Sequence, residues 1–187
     1  MGFLDAILGR SRRAISNIDA LFALPNAGIT LQTALSFQMT GKGSVCYRAA
    51  DGPAFTQTVQ DVVELLDNDD DPDVEITQDE YGFTWLTAQQ DDLSSLVTDL
   101  HAVNTALEAQ GFADGLLCSL VTFKDISGRP LGLVYLYKKG TFYPFAPTGP
   151  RQRDNLLELQ VRDVLKNDLR IEPQLSSWMA VWGAPGF

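Results

Sequence analysis

Histidine, cysteine and long apolar runs are what this chain has least of. One histidine, His101, and two cysteines, Cys46 and Cys118, stand among 187 residues. A Ser-His-Asp or Cys-His nucleophile site would have to use that histidine. By helical spacing it sits at the edge of an apolar stripe beside Asn104, where a boundary histidine with a hydrogen-bond partner is the plainer reading. One histidine and two separated cysteines do not make a zinc set. Nor do two cysteines make a disulfide framework. Each lies in an apolar, strand-like stretch, as reduced buried thiols do. No stretch of eighteen or more apolar residues occurs, which excludes a membrane-spanning helix. A basic-then-apolar signal peptide is also missing, and Ala6 stands where a myristoylation signal after Gly2 needs Ser or Thr. The expectation is a cytoplasmic protein.

Positive charge is scarce as well. Fourteen Lys and Arg face 24 Asp and Glu, for a formal net charge of −10. Such a surface repels nucleic acid phosphate, so no nucleic-acid partner is expected. Anionic membrane is repelled too, except at a local basic patch. The 45 % hydrophobic share is that of an ordinary folded domain, and the length suits a single one.

Motifs for cofactors and metals fail in detail. The acidic run Asp67-Asn68-Asp69-Asp70-Asp71-Pro72-Asp73 looks like a calcium loop only at first. Where that loop requires Gly it has Pro72, and where it requires Glu it has Gln78. Gly41-Lys42-Gly43-Ser44 lacks the spacing of a phosphate loop, and no glycine-rich dinucleotide fingerprint is present. No spacing selects a pair of carboxylates for acid–base work. The expectation is no cofactor, no metal and no catalytic set. An uncharacterised enzyme remains the weakest alternative.

The periodicities predict a single α+β domain over residues 1–187. Its largely antiparallel sheet is built from hairpins, with helices packed on it. Residues 1–24 read as a helical segment in two pieces, stopped by Pro25. Ile29, Leu31, Thr33, Leu35 and Phe37 alternate as in a half-buried strand, Thr40 to Gly43 read as a turn, and Val45 to Arg48 as the return strand. A helix opens near Pro53, with Phe55, Val59, Val62, Val63 and Leu66 as its core stripe. Strands follow from Val74 and across Tyr81, Phe83 and Trp85. Asp91 or Asp92 caps a third helix, which Gly111 ends. Leu116 to Phe123 reads as a strand buried on both faces. Leu131 to Tyr137 is the next strand, and Thr141 to Phe145 an edge strand, since Pro144 cannot donate to a ladder. A last helix carries Leu157, Val161, Val164 and Leu165. The tail from Ile171 to Phe187 looks irregular.

Two segments read best as contact surfaces. In the first, Phe3, Leu4 and Ile7 form a short apolar stripe ahead of Arg10, Arg12 and Arg13, suited to an anionic membrane surface or an acidic coiled coil. The second joins Phe142, Tyr143 and Phe145, beside Lys138 and Lys139, with Trp178 and Trp182 of the tail. Aromatic side chains beside cations are typical interface anchors. They are equally typical of a lid over a core. Exposure decides between the two.

Several stretches resemble the PspA-associated protein PspAB family. They are Leu-Asp-Ala-Ile-Leu-Gly-Arg at 4–10, Asp-Ala-Leu-Phe-Ala-Leu-Pro at 19–25, Asp-Leu-His-Ala-Val-Asn at 99–104, Leu-Val-Tyr-Leu-Tyr-Lys-Lys-Gly-Thr-Phe-Tyr-Pro-Phe-Ala-Pro at 133–147, Arg-Asp-Asn-Leu-Leu-Glu-Leu-Gln at 153–160 and Val-Trp-Gly-Ala-Pro-Gly at 181–186. The chain departs from that pattern at Met179-Ala180-Val181. The resemblance implies an accessory or adaptor role in the phage-shock, or envelope-stress, system. Its partner would be PspA, a coiled-coil membrane-remodelling protein, or a PspA-associated protein. It implies no catalytic residues. A secretion-chaperone-like or sensory regulator that binds another protein client is the alternative. A homodimer and peripheral contact with the inner face of a membrane both stay open.

Overall fold

The computed structural model describes residues 17–67 and 74–187. A 3-10 turn, Ile18–Ala23, runs straight into helix α1, Leu24–Leu35. Pro25 therefore opens a helix instead of stopping one. In the first turn its missing N–H has no intrahelical acceptor to lose, and its fixed φ suits the helix. The expected strand from Ile29 to Phe37 does not form. Leu24, Ala27 and Leu31 are buried at helical spacing, while Ile29 is 62 % exposed. Leu31 and Leu35 fit a period of two as well as one of 3.6, which is why alternation misled here. Ser36 ends the helix in the left-handed conformation, with φ of 59°.

Strand β1 then runs unbroken over Gln38–Tyr47, through the glycines expected to turn. The irregularity they produce is a shift in pairing with a neighbouring strand between Met39 and Gly43, with Gly41 at φ of +85°. A Cβ at Gly43 would meet Leu100 at 3.0 Å and Leu96 at 3.2 Å, so its absence lets a helix lie against the strand. Helix α2, Pro53–Leu66, begins at its proline as expected. Strands β2, Glu75–Gln78, and β3, Thr84–Gln89, form a hairpin. Helix α3, Leu93–Ala109, is capped by Asp92, whose carboxylate accepts from the Ser95 N–H at 2.9 Å. Strands β4, Leu116–Lys124, β5, Pro130–Leu136, and β6, Thr141–Phe145, form a meander. A small hairpin of β7, Pro147–Gly149, and β8, Gln152–Arg153, leads into α4, Asn155–Leu165.

The main sheet is antiparallel throughout, in the order β2-β3-β1-β4-β5-β6. The protein is thus α+β. Because β1 is one long strand, the order is helix-strand-helix before the first hairpin, and the hairpin expected between Ile29 and Arg48 does not form. Strand β6 is an edge, as Pro144 requires. The chain after α4 pairs with it at one point. Phe142 donates to Arg170 O and accepts from the Glu172 N–H, two positions before the proline.

Alternation along each strand splits the core into two layers. Leu131, Leu133 and Tyr135 join Val45, Leu96, Leu100 and Val161 under the helices. Val134, Tyr143 and Phe145 join Cys46, Trp85, Cys118 and Leu120 on the other face, covered by Trp178 and Ala184 of the C-terminal segment. One face is roofed by helices and the other by the chain's own tail.

Candidate functional site

The tail is pinned to the sheet by a few specific bonds. Trp178 donates its indole N–H to Glu172 O at 2.9 Å, and its ring stacks on Tyr143 with centroids 6.1 Å apart. The Tyr143 hydroxyl donates to Met179 O at 2.8 Å, and burial pushes its phenol up. Arg153 donates to the buried Glu158 carboxylate at 2.8 Å and to Trp178 O at 2.9 Å, with its guanidinium 4.9 Å over Phe145. Glu158 also accepts from the Ala146 N–H. Further along, Trp182 and Phe187 set their rings edge-on to Phe145. A Cβ at Gly132 would stand 2.8 Å from the Phe187 ring, so glycine there admits the chain's last aromatic.

Glu172 is the second anchor. Thr141 donates to its carboxylate at 2.8 Å, the Gln174 N–H at 3.2 Å, and Lys139 lies 3.3 Å away. Burial opposes its ionisation, but these bonds and the lysine outweigh that and hold its carboxyl below the ordinary range.

Between the tail and the sheet the packing leaves a cavity of about 510 Å³. Its floor is Trp85, Cys46 and Cys118, its sides include Leu117 and Leu136, and its mouth carries Tyr81, Met179, Lys138 and Lys139. The two cysteines are direct cross-strand partners on β1 and β4, and both are free thiols. A hydrogen bond with Cys118, reinforced by burial, pushes the Cys46 thiol up, so it stays protonated. Asp79 folds the β2–β3 turn over the mouth. One of its oxygens accepts from the Tyr81 and Phe83 N–H groups at 2.9 Å, and the other from the Trp85 indole at 3.0 Å.

The residues singled out as contacts separate accordingly. Lys138, Lys139, Tyr143 and Trp182 come together around this cavity. Phe142 faces the helices and packs on Tyr135, with ring centroids 5.0 Å apart. Phe145 and Trp178 lie in the tail-side core. Phe142, Tyr143 and Phe145 are each no more than 1 % exposed, and Trp178 is 7 % exposed. The exposure that an anchoring role requires of them is absent, because both sheet faces and the β6 edge are covered. Their arrangement is that of a lid over a core. Lys138 and Lys139 are exposed, and Trp182 is half-buried. Phe3, Leu4, Ile7, Arg10, Arg12 and Arg13 lie outside the described residues, as do positions 68–73 of the acidic loop.

His101 lies on the helical side. It contacts Asp19 at 2.9 Å and packs at a tilt against Phe22, with ring centroids 4.7 Å apart. Cys118 points to the other face, so the two do not meet. Among the described residues no three His, Cys, Asp or Glu side chains gather as metal ligands. The cavity walls Trp85, Leu117 and Leu136 escaped the sequence reading. Of these only Leu117 lies in the two-sided apolar run from Leu116 to Phe123, which needs a cover on each side; Trp85 and Leu136 come from neighbouring strands.

Helices on one face, a strapped tail on the other and an apolar cavity beneath the strap define an α+β protein with a built-in concave surface. The chain belongs to the PspAB family, described as PspA associated protein B, whose model matches residues 1–186. No curated protein and no solved structure matches it.

Proposed function

We propose that the protein is a non-enzymatic accessory protein of the PspA envelope-stress system, acting by binding PspA or a PspA-associated protein. The family description, over nearly the whole chain, carries this reading. The wall of the cavity under the tail supports it. Asp79, Tyr143 and Ser177 already bond within the chain, so few polar groups there are left to position a reacting substrate. With the aromatic block buried, the candidate contacts that remain are the Lys138–Lys139 corner with Trp182 and the Phe3–Arg13 segment, which lies outside the described residues. On this reading the protein works in the cytoplasm, at or near the inner face of the membrane. Among the described residues no helix is long and apolar enough to cross a membrane.

Co-elution of the purified full chain with PspA from the same cell, followed by titration calorimetry, tests the proposal. Saturable binding is expected, and a chain lacking residues 1–16 shows how much of it that segment carries. Failure of the two folded full-length proteins to associate at micromolar concentration overturns it.

A further inference from the structure

The cavity under the tail has a graded wall. At its floor Cys46 and Trp85 are each 2 % exposed, whereas Tyr81 and Met179 at its mouth are more than half exposed. Its size, about 510 Å³, lies in the range of sites for small molecules. Phe83, Trp85, Leu117 and Leu136 give it an apolar lining. Polar atoms in the wall are largely engaged: both Asp79 oxygens accept hydrogen bonds, and the Tyr143 hydroxyl is bonded to Met179 O. Such a wall selects for apolar shape and offers little to a sugar, nucleotide or polar peptide.

The mouth is different. Two cations stand there in a chain of net charge −10. Lys139 is held by Ser177 and Glu172. Lys138 is exposed and has no acceptor among the described residues. An apolar pocket with an unpaired ammonium at its rim is complementary to a molecule with one long apolar chain and an anionic head. We propose that this cavity binds a single-chain anionic amphiphile, such as a fatty acid or a lysophospholipid acid. The acyl chain lies between the tail and the floor of Trp85, Cys46 and Cys118, and the head group sits at Lys138. This site goes beyond the protein-binding role and does not depend on it.

The cavity carries its own reporters, since Trp85 and Trp182 line it while Trp178 is stacked behind on Tyr143. The full chain is titrated with stearate brominated in mid-chain, below the concentration at which it forms micelles, and tryptophan emission is read. Saturable quenching is expected, together with protection of Cys118 from iodoacetamide. Across unbranched fatty acids, each added methylene should tighten binding about fourfold until the cavity is full. Lys138→Glu, at the exposed rim, should weaken fatty-acid binding about two- to fivefold, in line with an exposed ion pair, and leave the alcohol of equal chain length unchanged. Leu117→Phe should weaken both. Absence of saturable quenching overturns the proposal. So does equal binding of a cationic amphiphile, or a Lys138→Glu chain that binds fatty acid as tightly as the parent. Protection of Cys118 by PspA without quenching by the brominated acid would assign the cavity to a protein partner and equally overturn it.

Discussion

Single side chains decide how firmly the tail holds. Arg153 is the clearest, because it bonds Glu158, caps the Trp178 carbonyl and lies on the Phe145 ring. Arg153→Ala leaves Glu158 buried without its cation. Breaking one partner of a buried pair costs about 3–5 kcal/mol, so urea denaturation should show a loss of that order. Glu172 gives the tail a dependence on acid. Its folded carboxyl lies below the ordinary range, so its contribution is present above that range and fades as pH falls through the folded value. The emission of Trp178 and Trp182 should therefore report loosening of the tail in acid before the helices melt. In Glu172→Gln that early change should disappear, with the tail looser at neutral pH. The same scale settles the aromatic block. Phe142→Ala removes a buried ring from the helical core and should destabilise by about 3–5 kcal/mol. Thermal melts of that variant check it. A variant of near-parental stability with lost partner binding would contradict its burial.

At the scale of elements, local chemistry sets most boundaries. Asp92 satisfies a free N–H at the start of α3, and Asp92→Ala should cost about 1 kcal/mol in denaturant midpoint analysis. Pro53 and Gly111 act where their backbone preferences place them, and Pro144 keeps β6 at an edge. Elements fail to be legible where one composition serves two periods. The stretch from Leu24 to Leu35 carries small and apolar residues that satisfy a strand's alternation, yet α3 and the sheet bury it as a helix. Gly41 and Gly43 look like a turn and act as a bulge and a close approach, because pairing with β4 on one side and β3 on the other holds β1 straight. Neither outcome depends on residues within a few positions, so a local reading could not reach it.

Over the whole molecule, the tail does the work of a second layer. Helices cover one face of the sheet, and residues from Ile171 onward cover the other with hardly any regular structure. A chain ending before Trp178 should expose Tyr143, Phe145 and Val134 together. Enhanced binding of a hydrophobic dye, with helix content nearly kept, is the expected result. The antiparallel α+β class, the buried central strand from Leu116 and the β6 edge could all be read from the sequence, since they rest on periodicity and proline. Its family membership could be read there too, from blocks such as residues 133–147. What only the tertiary structure decided is where the irregular tail goes. Its aromatics have no period, so nothing local says whether they meet solvent, a partner or the sheet. The answer comes from distant groups, Thr141, Arg153 and Tyr143, which bond the tail onto the sheet and leave Lys138 at the rim of the space beneath it.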